Sequence, residues 1–319
     1  MVSLIWRRFL VSCALMAMIS VISFFIITLA PGSPFPWGDL NPQIASSVKE
    51  EYRKRFHLDR PLSEQYYLTI ADLVSGRLVS MKDHQPVISK IAQRFPATLQ
   101  LGFCALVFVY GFGLVLGIHG ARHYRRWPDI VGTIAMFACL ALPGFWIAYL
   151  LIFALANFLQ VPVLGTHSLG FENASTLVSI MDRLWHLLVP AFVLSLGAMA
   201  AQTRYIRSSL VEVLGEDYIR TARAKGAAPA AVLYKHALRN ALRPLITNLG
   251  VLLPALLGGS VIIETIFAWP GLGRLAYEAV LERDYTVLVA LNLVTATAVL
   301  LGTLLSDLIY AAVDPRLHV

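Results

Sequence analysis

Charge is missing from this chain in six long blocks. No Asp, Glu, Lys or Arg lies between Arg8 and Asp39, Arg94 and Arg122, Asp129 and Glu172, Arg183 and Arg204, Arg243 and Glu264, or Asp284 and Asp307. Each block reaches the roughly 20 residues that a helix needs to cross a hydrocarbon core about 30 Å thick. In that medium a backbone must satisfy its own hydrogen bonds, which a helix does internally. The remaining composition agrees: 57% of residues are hydrophobic, only 14% are charged, and the mean hydropathy is +0.68. Soluble domains carry about 25% charge. The expectation is an all-α integral membrane protein with six transmembrane helices.

The distribution of Lys and Arg orients those spans. Arg7 and Arg8, then Arg122, Arg125 and Arg126, then eight basic residues from Arg204 to Arg243, and finally Arg316 fall on one side of the alternating spans. The short loops opposite hold Arg183, Arg274 and Arg283. Positive residues stay in the cytoplasm, so both termini are expected there. The net charge of +7 then marks cytoplasmic loops and anionic lipid, and nucleic acid is not among the expected partners. Residues 1–30 read as an uncleaved first span, because the apolar run from Phe9 to Ala30 outlasts a signal-peptide core and ends in Pro31-Gly32. Residues 31–96 form a long extracytoplasmic segment in which Val48–Phe56 suggests short amphipathic helices. Residues 97–319 make a core of five further spans.

The cytoplasmic segment 204–243, between the fourth and fifth spans, is the most informative stretch. Leu210, Val213, Leu214, Tyr218 and Ala222 recur at helical spacing, which predicts one helix over Ser208–Ala224. Gly226 stands where a helix closes in a left-handed conformation that glycine adopts cheaply. Pro229 suits the first turn of a second helix. Spacing alone serves two readings: a knuckle that inserts into a groove on a soluble partner, or an amphipathic linker lying on anionic lipid.

Here the residues resemble a known family. Asp217-Tyr218-Ile219-Arg220-Thr221-Ala222-Arg223-Ala224-Lys225-Gly226 with His236-Ala237-Leu238-Arg239-Asn240 is similar to the coupling loop of dipeptide/oligopeptide-type ATP-binding-cassette permeases. Pro31-Gly32, Leu58-Asp59-Arg60-Pro61, Phe95-Pro96-Ala97-Thr98, the stretch from Glu264 through Trp269-Pro270-Gly271-Leu272-Gly273-Arg274, and Asp314-Pro315-Arg316 follow in the family's order. The resemblance implies a permease subunit of a bacterial cytoplasmic (inner) membrane importer that moves short peptides by alternating access. Nickel-chelate, opine or glutathione cargo is the alternative. Its implied partners are a second, homologous permease subunit, two cytoplasmic ATPase subunits and an extracytoplasmic substrate-binding protein. Asp217, Tyr218, Thr221, Ala222, Arg223, Ala224, Lys225, Gly226, His236, Arg239 and Asn240 are the implied contacts to an ATPase. Two positions depart from the pattern: Arg220-Thr221-Ala222 stands where the wider superfamily has Glu-Ala-Ala, and Ala228 stands where relatives often carry a serine cap.

No GxxxxGK[ST] loop occurs, so an ATP site is not expected in this chain; the resemblance places ATP on the partner subunits, with no cofactor here. Cys13, Cys104 and Cys139 lie in apolar runs and read as small hydrophobes. His57, His84 and His167 lack metal-ligand spacing. A secondary transporter would show an internal repeat, and none is evident. Glu264, at the outer end of the fifth span, has two readings: it faces the translocation path, with Trp269, Pro270 and Gly271 forming a gate, or it reaches interfacial water or bonds to backbone amides freed near Pro270. Asp307 reads as a structural partner, and Gly258 and Gly259 as points of close helix approach, with a gate hinge as the alternative.

Overall fold

The computed structural model describes residues 2–32, 35, 46–168, 170, 175–242 and 260–313. These residues are helical; the one strand-like feature among them is an isolated bridge between Val79 and Pro86. The first span is α1 (Val2–Thr28). Two short helices follow, α2 (Ser46–Arg55), over the amphipathic run Val48–Phe56, and α3 (Leu62–Val74), which that run did not include. Next come α4 (Val87–Arg122), α5 (Trp127–Ala141), α6 (Gly144–Phe158) and α7 (Thr176–Leu214). The chain then forms α8 (Asp217–Ala224), α9 (Pro229–Ala231), a π-helical stretch Val232–Ala237 and α10 (Leu238–Ala241). It closes with α11 (Val261–Ile266), α12 (Leu272–Leu281) and α13 (Tyr285–Val313).

Four of these helices, α1, α4, α7 and α13, are each long and apolar enough to span a membrane. Most of the fifth expected span, with Gly258 and Gly259, lies outside the described residues, as do Asp314-Pro315-Arg316 and the side chain of Asp307. The third expected span is not one straight helix. It is α5 and α6, bent by 106° at the Leu142-Pro143 break. Asp129 at the start of α5 is ion-paired with Arg207 on α7, whereas beyond the end of α6 the Pro162 carbonyl accepts from Trp185 Nε1 at 3.1 Å. Those two anchors lie 22 residues apart on α7, or about 33 Å at 1.5 Å per residue. The bent pair therefore climbs the width of a bilayer once and reads as a broken span.

Helix α4 begins at Val87 and carries Pro96 internally, so residue 96 lies within a continuous helix. One other expectation needs correction. The helix expected over Ser208–Ala224 is two: α7 stops at Leu214, Gly215 and Glu216 break it, and α8 starts at Asp217. Gly215 marks a C-terminus, and the acidic pair that follows suits the positive end of a new helix.

The spine of the structure is α4 against α7. Gly113, Gly117 and Gly120 lie on one face of α4. A Cβ on Gly117 would sit 2.8 Å from Ile206 Cβ and 3.0 Å from the Thr203 carbonyl, and one on Gly120 would sit 3.2 Å from Arg207 Cδ. Glycine at these positions lets the two backbones meet closely, as small residues do inside membranes.

The segment between α1 and α4 is docked on the last helices. Asp284 is buried, and its carboxylate accepts from Met81 N–H (3.1 Å), Thr286 Oγ1 (2.8 Å) and Val287 N–H (3.2 Å), and also from Ser80 Oγ. One side chain thus caps α13 and pins the 78–86 hairpin. Leu78, Val87 and Ile91 pack there against Leu272, Leu275 and Val287. Tyr66 holds α3 to α1 through its hydroxyl, 2.7 Å from Ser20 Oγ, and through an edge contact with Phe24.

Candidate functional site

The knuckle is built on Ile219. Its side chain is fully buried among Ala121, Leu210, Val232, Leu233 and Ala237, so α8 is clamped between α4, α7 and the second short helix. Removing Ile219 from this pocket would cost about 2–5 kcal/mol by the usual toll of large-to-Ala core substitutions. With Ile219 turned inward, the remaining face of α8 turns outward. Asp217, Tyr218, Thr221, Arg223, Ala224, Lys225, Gly226 and Arg239 are exposed, and Ala222, His236 and Asn240 are partly so.

The turn between the short helices is rigid. Gly226 has φ +81°. Its N–H donates to the Arg223 carbonyl at 2.9 Å, and the Ala227 N–H donates to the Ala222 carbonyl at 3.2 Å. These two bonds define a Schellman closure, with a left-handed residue that glycine provides without strain. Nothing lies within 4 Å of the position a Gly226 Cβ would take, so the need for glycine there is conformational and not steric. Pro229 opens the next helix behind Ala228, which offers no side-chain cap. Asn240 Nδ2 donates to Tyr218 Oη at 2.9 Å, and Ser209 Oγ donates to the Ala241 carbonyl at 3.2 Å. These bonds join the two short helices to each other and to α7. The Arg220–Asp217 pair, at 3.2 Å, is almost fully exposed and adds little. Arg220, Arg223, Lys225, Lys235 and Arg239 give the outer face a basic character.

The second candidate site is the turn from Glu264 to Arg274. Glu264 is fully buried. Its carboxylate accepts from the Arg274 N–H (3.0 Å), the Gly273 N–H and Thr98 Oγ1 (3.1 Å), while Thr98 Oγ1 accepts from the Leu272 N–H at 2.7 Å. The first three amides of α12, which have no partner within their own helix, are thereby satisfied from α11 and α4. The carboxyl group sits at the positive end of the helix dipole. Gly271 and Gly273 leave the room: a Cβ on Gly271 would fall 2.3 Å from Glu264 Oε2, and one on Gly273 would fall 2.8 Å from Val261 N. Trp269 is buried, with Nε1 donating to the Ala97 carbonyl at 2.9 Å, and Arg274 holds the Ala268 carbonyl at 2.7 Å, where Ala268 takes φ +52°. Glu264, Trp269 and Gly271 are thus brought together inside the protein, with Pro270 between the latter two. The geometry matches the reading in which Glu264 bonds to backbone amides near Pro270. Thr98 is the member that residue-by-residue reading missed; its partner lies 166 positions away, and no local spacing links them.

The family described as "Binding-protein-dependent transport system inner membrane component" matches residues 112–319. Over 320 residues the chain is 38% identical to the oligopeptide transport system permease protein AppB of Bacillus subtilis (strain 168), covering 100% of both. It is 35% identical to the glutathione transport system permease protein GsiC of Escherichia coli O6:H1, covering 100% of this chain and 99% of that one. It is 34% identical to the dipeptide transport system permease protein DppB of Alkalihalophilus pseudofirmus, covering 98% of each. Among solved structures, its fold is similar to that of the inward-facing MetNI methionine ABC transporter, with a TM-score of 0.56 at 19% identity, covering 72% of this chain and 99% of that chain. With full-length identity of this order and the match over α5 to α13, the chain belongs to the family of binding-protein-dependent transport system inner membrane components.

Proposed function

We propose that the chain is one of two permease subunits of an ATP-driven importer and that its cargo is a short peptide. The oligopeptide and dipeptide permeases among its relatives support that cargo, and the glutathione permease extends it to a tripeptide-sized thiol. In this reading both termini lie in the cytoplasm, residues 31–96 lie outside, and residues 97–319 carry the translocating core. An extracytoplasmic binding protein delivers the cargo. A second, homologous permease subunit completes the path, and two cytoplasmic ATPases bind and hydrolyse the ATP. The knuckle from Asp217 to Asn240 enters a groove on one ATPase and passes its closure to α4 and α7. The observation that carries this assignment is the division of the knuckle: Ile219 is locked into the bundle while Tyr218, Thr221, Arg223 and Lys225 stand exposed on a turn fixed by Gly226. A linker lying loosely on lipid needs no such closure.

The test is Gly226→Val. A β-branched residue at positive φ is strongly disfavoured, by roughly 1–2 kcal/mol or more, and no clash accompanies it. The spans bury their surface independently of this turn, so abundance should stay normal while ATPase co-purification and peptide uptake fall together. Gly226→Asn, which tolerates the left-handed region, should restore both. Ala228→Ser adds a cap ahead of Pro229, worth about 0.5–2 kcal/mol to the second helix, and should leave uptake unchanged or raised. Normal assembly and uptake by Gly226→Val would reduce the segment to a linker.

A further inference from the structure

A cleft of about 430 Å³ opens between α4, α5 and α7, beside the base of the knuckle and away from the Glu264 turn. Its lining changes character along its length. One end is polar, formed by Asp129, Arg207 and Ser208; the other is apolar, formed by Met136, Leu140 and Ala200; Arg204 and Phe137 meet between them. The polar end is the end of α7 nearest the knuckle, and the apolar end is one to two turns deeper in the bundle. Arg207 and Asp129 occupy each other: Arg207 Nη2 donates to Asp129 Oδ2 at 2.7 Å and Nε to Oδ1, while the Arg125 N–H also donates to this carboxylate at 2.8 Å. The acid is therefore neutralised. Arg204 is different. It is exposed, its guanidinium lies 6.0 Å from the Phe137 ring centroid, and it has no carboxylate partner among the described residues.

A second observation points to a ligand. Thr203 is 6% exposed and lines the cleft, yet its buried hydroxyl has no hydrogen-bond partner among the described residues. Buried polar atoms are ordinarily paired. Thr203 is the neighbour of Arg204 on α7, about 1.5 Å away along the helix axis, and lies about 6 Å deeper than Arg207. A cationic mouth, an unpaired donor just below it and an apolar slot beneath that follow the order of phosphate, glycerol ester and acyl chain in a phospholipid.

We propose that this cleft is a binding site for one anionic phospholipid, with its phosphate against Arg204, an ester carbonyl accepting from Thr203 Oγ1, and an acyl chain between α5 and α7. The leaflet rests on the orientation proposed above: the mouth faces the cytoplasm, so the lipid comes from the inner leaflet. Binding itself does not depend on orientation. If cysteine labelling reversed the topology, the site would move to the other leaflet and the lipid would remain.

The experiment uses the full transporter complex in detergent, equilibrated with equal amounts of dioleoyl phosphatidylglycerol and dioleoyl phosphatidylcholine and read by native mass spectrometry. The unaltered complex should retain a phosphatidylglycerol adduct that inorganic phosphate does not displace. Gly132→Leu is the plug. Gly132 lines the cleft and no described residue stands within 4 Å of its Cβ position, so a leucine starts from open space beside the acyl slot, and the adduct should disappear. Arg204→Gln should weaken phosphatidylglycerol retention about fivefold, towards that of phosphatidylcholine, by the usual worth of one basic residue at a charged lipid surface. Thr203→Val, of the same shape, should weaken both lipids by about two- to tenfold. Equal retention of the two lipids by the unaltered complex overturns the proposal, as does an undiminished adduct in Gly132→Leu. A Gly132→Leu complex that keeps its lipid but loses uptake would assign the cleft to the transport route instead. Should Gly132→Leu fail to assemble, unchanged phosphatidylglycerol preference in Arg204→Gln overturns the proposal alone.

Discussion

Glu264 caps a helix that it does not belong to. Its carboxylate and the Thr98 hydroxyl take the amides that open α12, so the side chain is a strut between α11, α4 and α12. Glu264→Leu leaves buried amides unpaired at about 1–3 kcal/mol each, and the complex should melt at lower temperature. Glu264→Gln keeps one acceptor oxygen and should lose less. If Glu264→Leu melts like the unaltered complex while uptake collapses, the carboxylate serves the transport path and not the turn. Asp83 provides a pH-dependent counterpart outside the membrane. Burial raises its pKa, but hydrogen bonds from Lys90, Ser80 and the Gln85 N–H outweigh it and pull it from 3.8 down to about 2. A carboxyl depressed on folding contributes its stability above its unfolded pKa and loses it as pH falls through the folded one. The hairpin's contribution should thus be full above 3.8 and fade towards about 2. Asp83→Asn should flatten that acid limb, measured by hydrogen exchange of the 78–86 backbone; an unchanged limb would show that the Lys90 pair contributes nothing.

At the scale of elements, the contact between α4 and α7 is set by residues that have no side chain. Gly117→Leu should force the helices apart, because even its Cβ meets Ile206 at 2.8 Å; overpacking of this kind costs about 1–3 kcal/mol. Gly111→Leu lies on the same helix with open space at its Cβ and should melt as the unaltered protein does. Equal melting of the two variants would show that the interface yields. Long helices were legible because an uncharged block of spanning length leaves the backbone little choice. Their ends and breaks were less so. Charge absence does not register Leu142-Pro143, since both residues are apolar, although a proline there is a mark of a bend. Helical periodicity ran straight through Gly215-Glu216, where a glycine C-cap wins over the pattern on either side.

At the scale of the whole molecule, the orientation inferred from Lys and Arg can be measured. Single cysteines at Ser47 and Ser75, both exposed, should react with impermeant reagent from outside, and one at Ser208, exposed beyond the inner end of the spans, only from inside. Reaction of all three from one side would end the six-span arrangement. The knuckle was readable from sequence because its determinants are local: Gly226 and Pro229 lie within a few positions of the helices they bound. The cleft and the Glu264 turn were not, because their partners are distant in the chain. Thr98 with Glu264, and Asp129 with Arg207, become neighbours only once separate spans have packed.

The pin formed by Asp284 carries a consequence for synthesis. Ser80 and Asp284 are separated by 204 positions, and ribosomes add about 5–20 residues each second. The hairpin at 78–86 therefore waits for about 10–40 s after its own emergence before its acceptor exists. During that interval its amides are served by water, and the surface of Val87 and Ile91 that will meet α12 and α13 stays uncovered. Completion of the outer segment thus reports that the last helix has been inserted. A nascent chain that stalls before Asp284 leaves that hairpin without its acceptor.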